Sequence, residues 1–101
     1  MAEAVLHLQK AVCAQVAQGV VDTLGISAWP APDAEGAWVQ LPPNTDIAQV
    51  AHAITLEGAV AEPAQDAPYL LLPVQPWFSA EEIDHTILCC AKVCHVMLGI
   101  H

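Results

Sequence analysis

The chain has no arginine and only two lysines, Lys10 and Lys92. Phosphate backbones are held by Lys and Arg, so this scarcity argues against nucleic acid and against an anionic membrane surface as partners. It also removes the bidentate fork that grips carboxylates and phosphates. An anionic ligand would have to rely on helix N-termini, histidines or those lysines. Long apolar runs are missing too. Gln, His, Asp and Pro interrupt every stretch before the roughly 18 residues that a membrane helix needs. The opening residues, Met1-Ala2-Glu3-Ala4, lack the basic stretch of a secretion signal, and the expected compartment is the cytoplasm. No C-x-x-C spacing occurs, which argues against a zinc or redox motif.

What is present is acid and apolar bulk. Asp and Glu number 11, so the net charge is −9. Hydrophobic residues make up 55% of the 101 residues and charged ones 13%, against roughly 45–50% and 25% in ordinary soluble domains. A chain of this length forms one domain around one core. The surplus apolar surface needs a cover, and a second copy or a larger protein is the simplest one.

The pattern predicts a helix over residues 2–24. Val5, Gln9, Val12, Val16, Val20 and Thr23 recur at three- and four-residue steps, and Leu6, Cys13 and Leu24 widen that stripe. Gly25 stops it. A short strand over 26–29 precedes a turn-rich connector over 30–36, and a second strand is predicted over 37–41, closed by Pro42-Pro43. Asn44, Thr45 or Asp46 caps a helix that runs to about Glu57, with Ile47, Val50, Ala51 and Ile54 as its stripe. Residues 59–62 form a short strand candidate. The continuous apolar run over 69–74 reads as a strand buried on both faces, with Pro73 at an edge or an end. Ser79-Ala80-Glu81-Glu82 is a capping box opening the last helix. That helix carries a core stripe of Ile83, Ile87, Cys90, Cys94 and Met97, yet Leu88, Cys89 and Val96 make its other arc apolar as well. The fold class is therefore α+β in the order helix-β-β-helix-β-β-helix, a small sheet of three or four strands with helices mainly on one face.

These words, in this order, resemble the C-terminal small domain of fold-type I pyridoxal-phosphate enzymes, the aminotransferases and their relatives. The likeness rests on Gly36-Ala37-Trp38-Val39-Gln40-Leu41-Pro42, the Asp-led helix over 46–57, Gly58-Ala59-Val60-Ala61-Glu62-Pro63, the strand over 69–74 and Ser79-Ala80-Glu81-Glu82-Ile83. It covers about residues 2–98. The resemblance implies a substrate-gripping arginine in the strand over 69–74, where this chain has Leu71. It also implies a large domain that holds the Schiff-base lysine, the phosphate cup and the aspartate of the pyridine nitrogen, and nothing here replaces that domain. Pyridoxal phosphate would be expected only with a large-domain partner, against which Pro76-Trp77-Phe78 would face.

Chemistry-bearing side chains crowd the C-terminal helix: His85, Cys89, Cys90, Cys94, His95 and His101. His85–Cys89 and Cys90–Cys94 stand four apart, the spacing of paired metal ligands, but they point to opposite faces and cannot share an ion. Small core residues are the simpler reading of Cys90 and Cys94. A cytoplasmic setting argues against disulfides. Cys94 and His95 are adjacent and diverge by about 100° on a helix, a poor nucleophile–base pair. Glu81, Glu82 and Asp84 suit the helix dipole. Lys10 and Lys92 fall on solvated faces, where a Schiff-base lysine would want a dry pocket. Trp29, Trp38 and Tyr69 read as packing.

The function expected is that of a non-catalytic accessory module that self-associates or docks on a larger protein, with no catalytic, cofactor or metal residues of its own. Trp77, Phe78, Leu88, Cys89 and Val96 are its expected contacts. Two alternatives are a C-terminal piece of a split or excised pyridoxal-phosphate enzyme, and a small-ligand or metal-binding protein.

Overall fold

A computed structural model describes residues 2–65 and 67–100. Its elements are α1 (Ala2–Leu24), β1 (Ala28–Pro30), β2 (Gly36–Val39), α2 (Ile47–Leu56), β3 (Glu62–Pro63), β4 (Leu70–Pro73) and α3 (Ala80–Leu98). The strands form one sheet in the order β1-β2-β4-β3, with every neighbour antiparallel. The fold is thus mixed α and β, in the element order the pattern predicts. None of the described helices is long and apolar enough to cross a membrane.

Side chains on a strand alternate between faces, and that alternation sorts the molecule into layers. Leu70 and Leu72 are fully buried among the helices, joined by Ala37 and Val39 of β2. Val16 and Val20 of α1, Ile54 of α2 and Cys90 and Cys94 of α3 complete that core. Leu71 lies on the opposite face, yet it too is buried. The continuous apolar run thus marks a central strand covered on both sides. On the far face the register sets Trp29 beside Trp38, Trp38 beside Leu71 and Leu71 beside Glu62, one from each strand. Tyr69 packs there edge-on to Trp29, with ring centroids 4.9 Å apart, and 5.2 Å from Trp38.

Local chemistry fixes the ends. Ser79 caps α3 by accepting from the Glu82 amide, and the Glu82 carboxylate accepts in return from the Ser79 amide. Asp46 caps α2 by accepting from the Gln49 amide. Pro73 ends β4 because it has no N–H for the ladder. The third strand is shorter than residues 59–62 predict and begins only at Glu62. The reason is the end of α2, where the Ala59 amide turns back to the Ile54 carbonyl at 3.4 Å and keeps residue 59 within the helix terminus. At the sheet edges, β1 finishes on Pro30 and β3 on Pro63, so neither offers a long unpaired ladder.

Gln9 sits within the apolar stripe of α1 for a reason the structure supplies. Its Nε2 donates to the Ala34 carbonyl at 2.7 Å and to the Val74 carbonyl at 2.9 Å. One amide thereby ties α1 to the β1–β2 turn and to the exit of β4. The turn holds Ala34 at φ 60, a left-handed conformation that costs a non-glycine residue about 1 kcal/mol. Gly36, just beyond, passes so close to β4 that a Cβ would run into the Leu72 carbonyl. Replacing Gly36 by Ala is expected to destabilise the fold by about 1–3 kcal/mol, read as a lower urea midpoint. An unchanged midpoint would contradict this close approach.

Candidate functional site

The core stripe of α1 runs past the core that this chain supplies. Val12, Val16 and Val20 are buried, but Val5, Leu6 and Leu8 are exposed. Gln9 marks the boundary. Beyond it, a hollow of about 970 Å³ opens between Ala4, Val5, Leu6, Gln9, Gln75, Pro76 and Trp77. Trp77 is 73% exposed. A large ring held in water beside two exposed aliphatic side chains is a contiguous apolar surface, and such surfaces mark contacts.

The five expected contact residues do not form one surface. Trp77 lines the groove on α1. Phe78 is half-buried and packs against the core. Cys89 is 7% exposed, its Sγ turned to the Glu57 carbonyl at 3.6 Å, so it offers no contact area. Leu88, at 63%, stands on the outer side of α3. Val96 lines a second, smaller hollow with Ala53, Leu56 and Met97 between α2 and α3. The groove residues Val5 and Leu6 were legible only as core. Their signal was a stripe longer than two further helices and a small sheet can cover.

Cys13, Cys89, Cys90 and Cys94 are all unpaired and buried. Cys13 donates to the Ala34 carbonyl at 3.3 Å. Burial, and then the charge of Glu57, push the Cys89 thiol up from its ordinary value. His85 Nε2 lies 3.6 Å from that sulfur and 3.2 Å from the Gly58 carbonyl, but a thiol held protonated is a poor nucleophile. Cys90 is raised further by its hydrogen bond to Cys94 and by burial. Among the described residues no three of His, Cys, Asp and Glu converge in a way that holds a metal ion. His101 lies outside the described residues.

Pyridoxal phosphate does not fit the residues present. It needs a desolvated amine and a phosphate cradle. Lys10 is exposed, and Lys92 is 64% exposed and paired with Glu57 at 2.9 Å. The chain has no arginine to hold a phosphate or carboxylate.

A cavity of about 460 Å³ lies on the far face of the sheet, lined by Trp38 and Leu71 and bordered by Asp33, Glu35 and Glu62. Asp33 and Glu35 come from the β1–β2 turn that Gln9 anchors, and Glu62 from the edge strand. The turn holds Asp33 and Glu35 together, and cross-strand register brings Glu62 to them. Partial desolvation, then the charge of Asp33 and a hydrogen bond to it, then Glu62, hold the Glu35 carboxyl above its ordinary value. The indole Nε1 of Trp38 is buried with no hydrogen-bond partner.

In comparisons with known proteins, no family model, no curated protein and no solved structure matches the chain.

Two outcomes follow from this geometry. In the folded chain at neutral pH, all four thiols should react slowly with an aromatic disulfide reagent and all be released by denaturant. One fast native thiol would contradict the burial. Because Glu35 binds its proton more tightly folded than unfolded, its contribution to stability is present at low pH. That contribution is lost as pH rises from the ordinary carboxylate range through the raised value. Asp33→Asn should bring the Glu35 titration down, as followed by carboxyl NMR, and an unmoved midpoint would contradict the proximity.

Proposed function

We propose that this chain is a non-catalytic binding module that self-associates through the apolar groove between the first turns of α1 and the Pro76-Trp77 turn. The carrying observation is the overhang of α1: its core stripe continues through Leu6 and Val5 where the chain has no core left to meet it. A second copy brings the same stripe and the same Trp77, and like surfaces meet across a two-fold axis. Aromatic anchors seated in such a hollow dominate contact energies. The four unpaired, buried thiols are in keeping with a reducing compartment, the cytoplasm.

Exposure of Trp77 also favours a second reading, in which the same groove seats a larger protein. For a split pyridoxal-phosphate enzyme, that protein would be the large domain carrying the whole cofactor site. Co-purification from the chain's own host with a protein showing the cofactor's yellow absorbance would favour this reading.

Light scattering on the purified chain tests the first reading. A mass above that of one 10.7 kDa chain is expected, falling to the monomer in Leu6→Asp and Trp77→Ala with unchanged circular dichroism. A wild-type monomer at high concentration would contradict self-association. Dispersal by Leu88→Asp, with Leu6→Asp still assembled, would move the contact to the outer side of α3.

A further inference from the structure

The groove on α1 leaves the His85–Cys89 pair of α3 unused. Both side chains turn to the end of α2. There His85 Nε2 donates to the Gly58 carbonyl at 3.2 Å, and the Cys89 thiol to the Glu57 carbonyl at 3.6 Å. Carbonyls at a helix end have no partner in the helix ladder and accept from outside it. The same nitrogen lies 3.6 Å from the sulfur. Gly58 has φ 103, and a Cβ on it would come to 3.4 Å from Nε2, so the glycine keeps the approach to the imidazole open. A hollow of about 550 Å³ lies beside His85, lined also by Val60, Phe78 and Glu81. Glu81 stands one helical turn before His85, a spacing at which side chains meet.

We propose that this crossing of α2 and α3 binds a zinc ion through His85 Nε2, Cys89 Sγ and the Gly58 carbonyl, with Glu81 turning in from the hollow as the fourth ligand. A tetrahedral ion at ordinary zinc bond lengths sets its nitrogen and sulfur ligands about 3.6 Å apart and its nitrogen and oxygen ligands about 3.3 Å apart. The nitrogen–sulfur and nitrogen–carbonyl distances already match, at 3.6 and 3.2 Å. In the free chain three such side chains do not converge, so the site closes on the ion. Sulfur with imidazole selects zinc over magnesium or calcium, which take oxygen ligands. On binding, the Cys89 thiol gives its proton to solvent as the sulfur–zinc bond forms. The imidazole proton passes from Nε2 to Nδ1, and no electron is transferred. The ion joins the end of α2 to α3 and so stabilises the folded chain. This inference does not depend on the groove, which other elements carry.

The probe is zinc chloride, titrated into the metal-free full chain. One ion per chain is expected, with a higher thermal midpoint and NMR shifts at His85, Cys89 and Gly58. Cobalt in place of zinc should give thiolate-to-metal charge-transfer absorbance. Cys89→Ser and His85→Gln should each weaken binding by about ten-fold or more, and Glu81→Gln by less. His52→Gln and His95→Gln, exposed histidines away from the crossing, should bind as the wild type does. Affinity unchanged in Cys89→Ser, equal loss in His52→Gln, or no saturable binding would overturn the site. Cuprous ion displacing zinc at equal free concentration would replace the metal, and so also overturn the proposal. The cobalt spectrum and the NMR map of the wild-type chain decide the matter even if a variant folds poorly.

Discussion

Leu70 and Leu72 point into the helices and Leu71, between them, points away. The layering of the molecule follows from that alternation. Three helices pack on the side of Leu70 and Leu72, where Ala37 and Val39 of the neighbouring strand add to the same surface. With only one helical layer available, the other side is finished by side chains alone: a row from Trp29 through Trp38 and Leu71 to Glu62, with Tyr69 laid across the two indoles. That row is enough to bury Leu71 but not to make a second core. The acidic cavity is the place where the row runs out.

Gln9 performs the corresponding service on the helical side. A polar amide inside an apolar stripe closes the core by reaching two carbonyls, one in the β1–β2 turn and one at the exit of β4. Hydrogen bonds from one side chain to a turn and a strand exit far along the chain fix where the core ends, and α1 continues beyond them for more than a turn. The exposed Val5, Leu6 and Trp77 and the turn that presents Asp33 and Glu35 are thus anchored by the same residue, from opposite sides.

Much of this was legible in the sequence because it is local. The capping box of Ser79 and Glu82 and the three-leucine run depend on neighbours within a few residues and are found where they are read, and of the three candidate caps Asn44, Thr45 and Asp46 the structure uses Asp46. The third strand was misplaced because the end of α2 holds Ala59 through a bond to Ile54, a competition that composition does not show. Cys89 was read as surface because its helix is apolar on several arcs; α2 covers that arc, through the Glu57 carbonyl, and leaves Leu88 and Val96 outside. The acid trio was invisible for a different reason. Asp33 and Glu35 share one turn, but Glu62 joins them only through the register of β3 on β4 and β4 on β2, and register is not written in any one segment.

The central claim is that the overhanging stripe of α1 needs a cover from another molecule. Amide hydrogen exchange of residues 6–9, followed as protein concentration is raised, tests it most directly. Protection that grows with concentration in this segment, while residues 16–20 stay protected throughout, is the predicted result. Exchange in the first turns that is fast and independent of concentration, in the chain alone and in its host extract, would contradict the account.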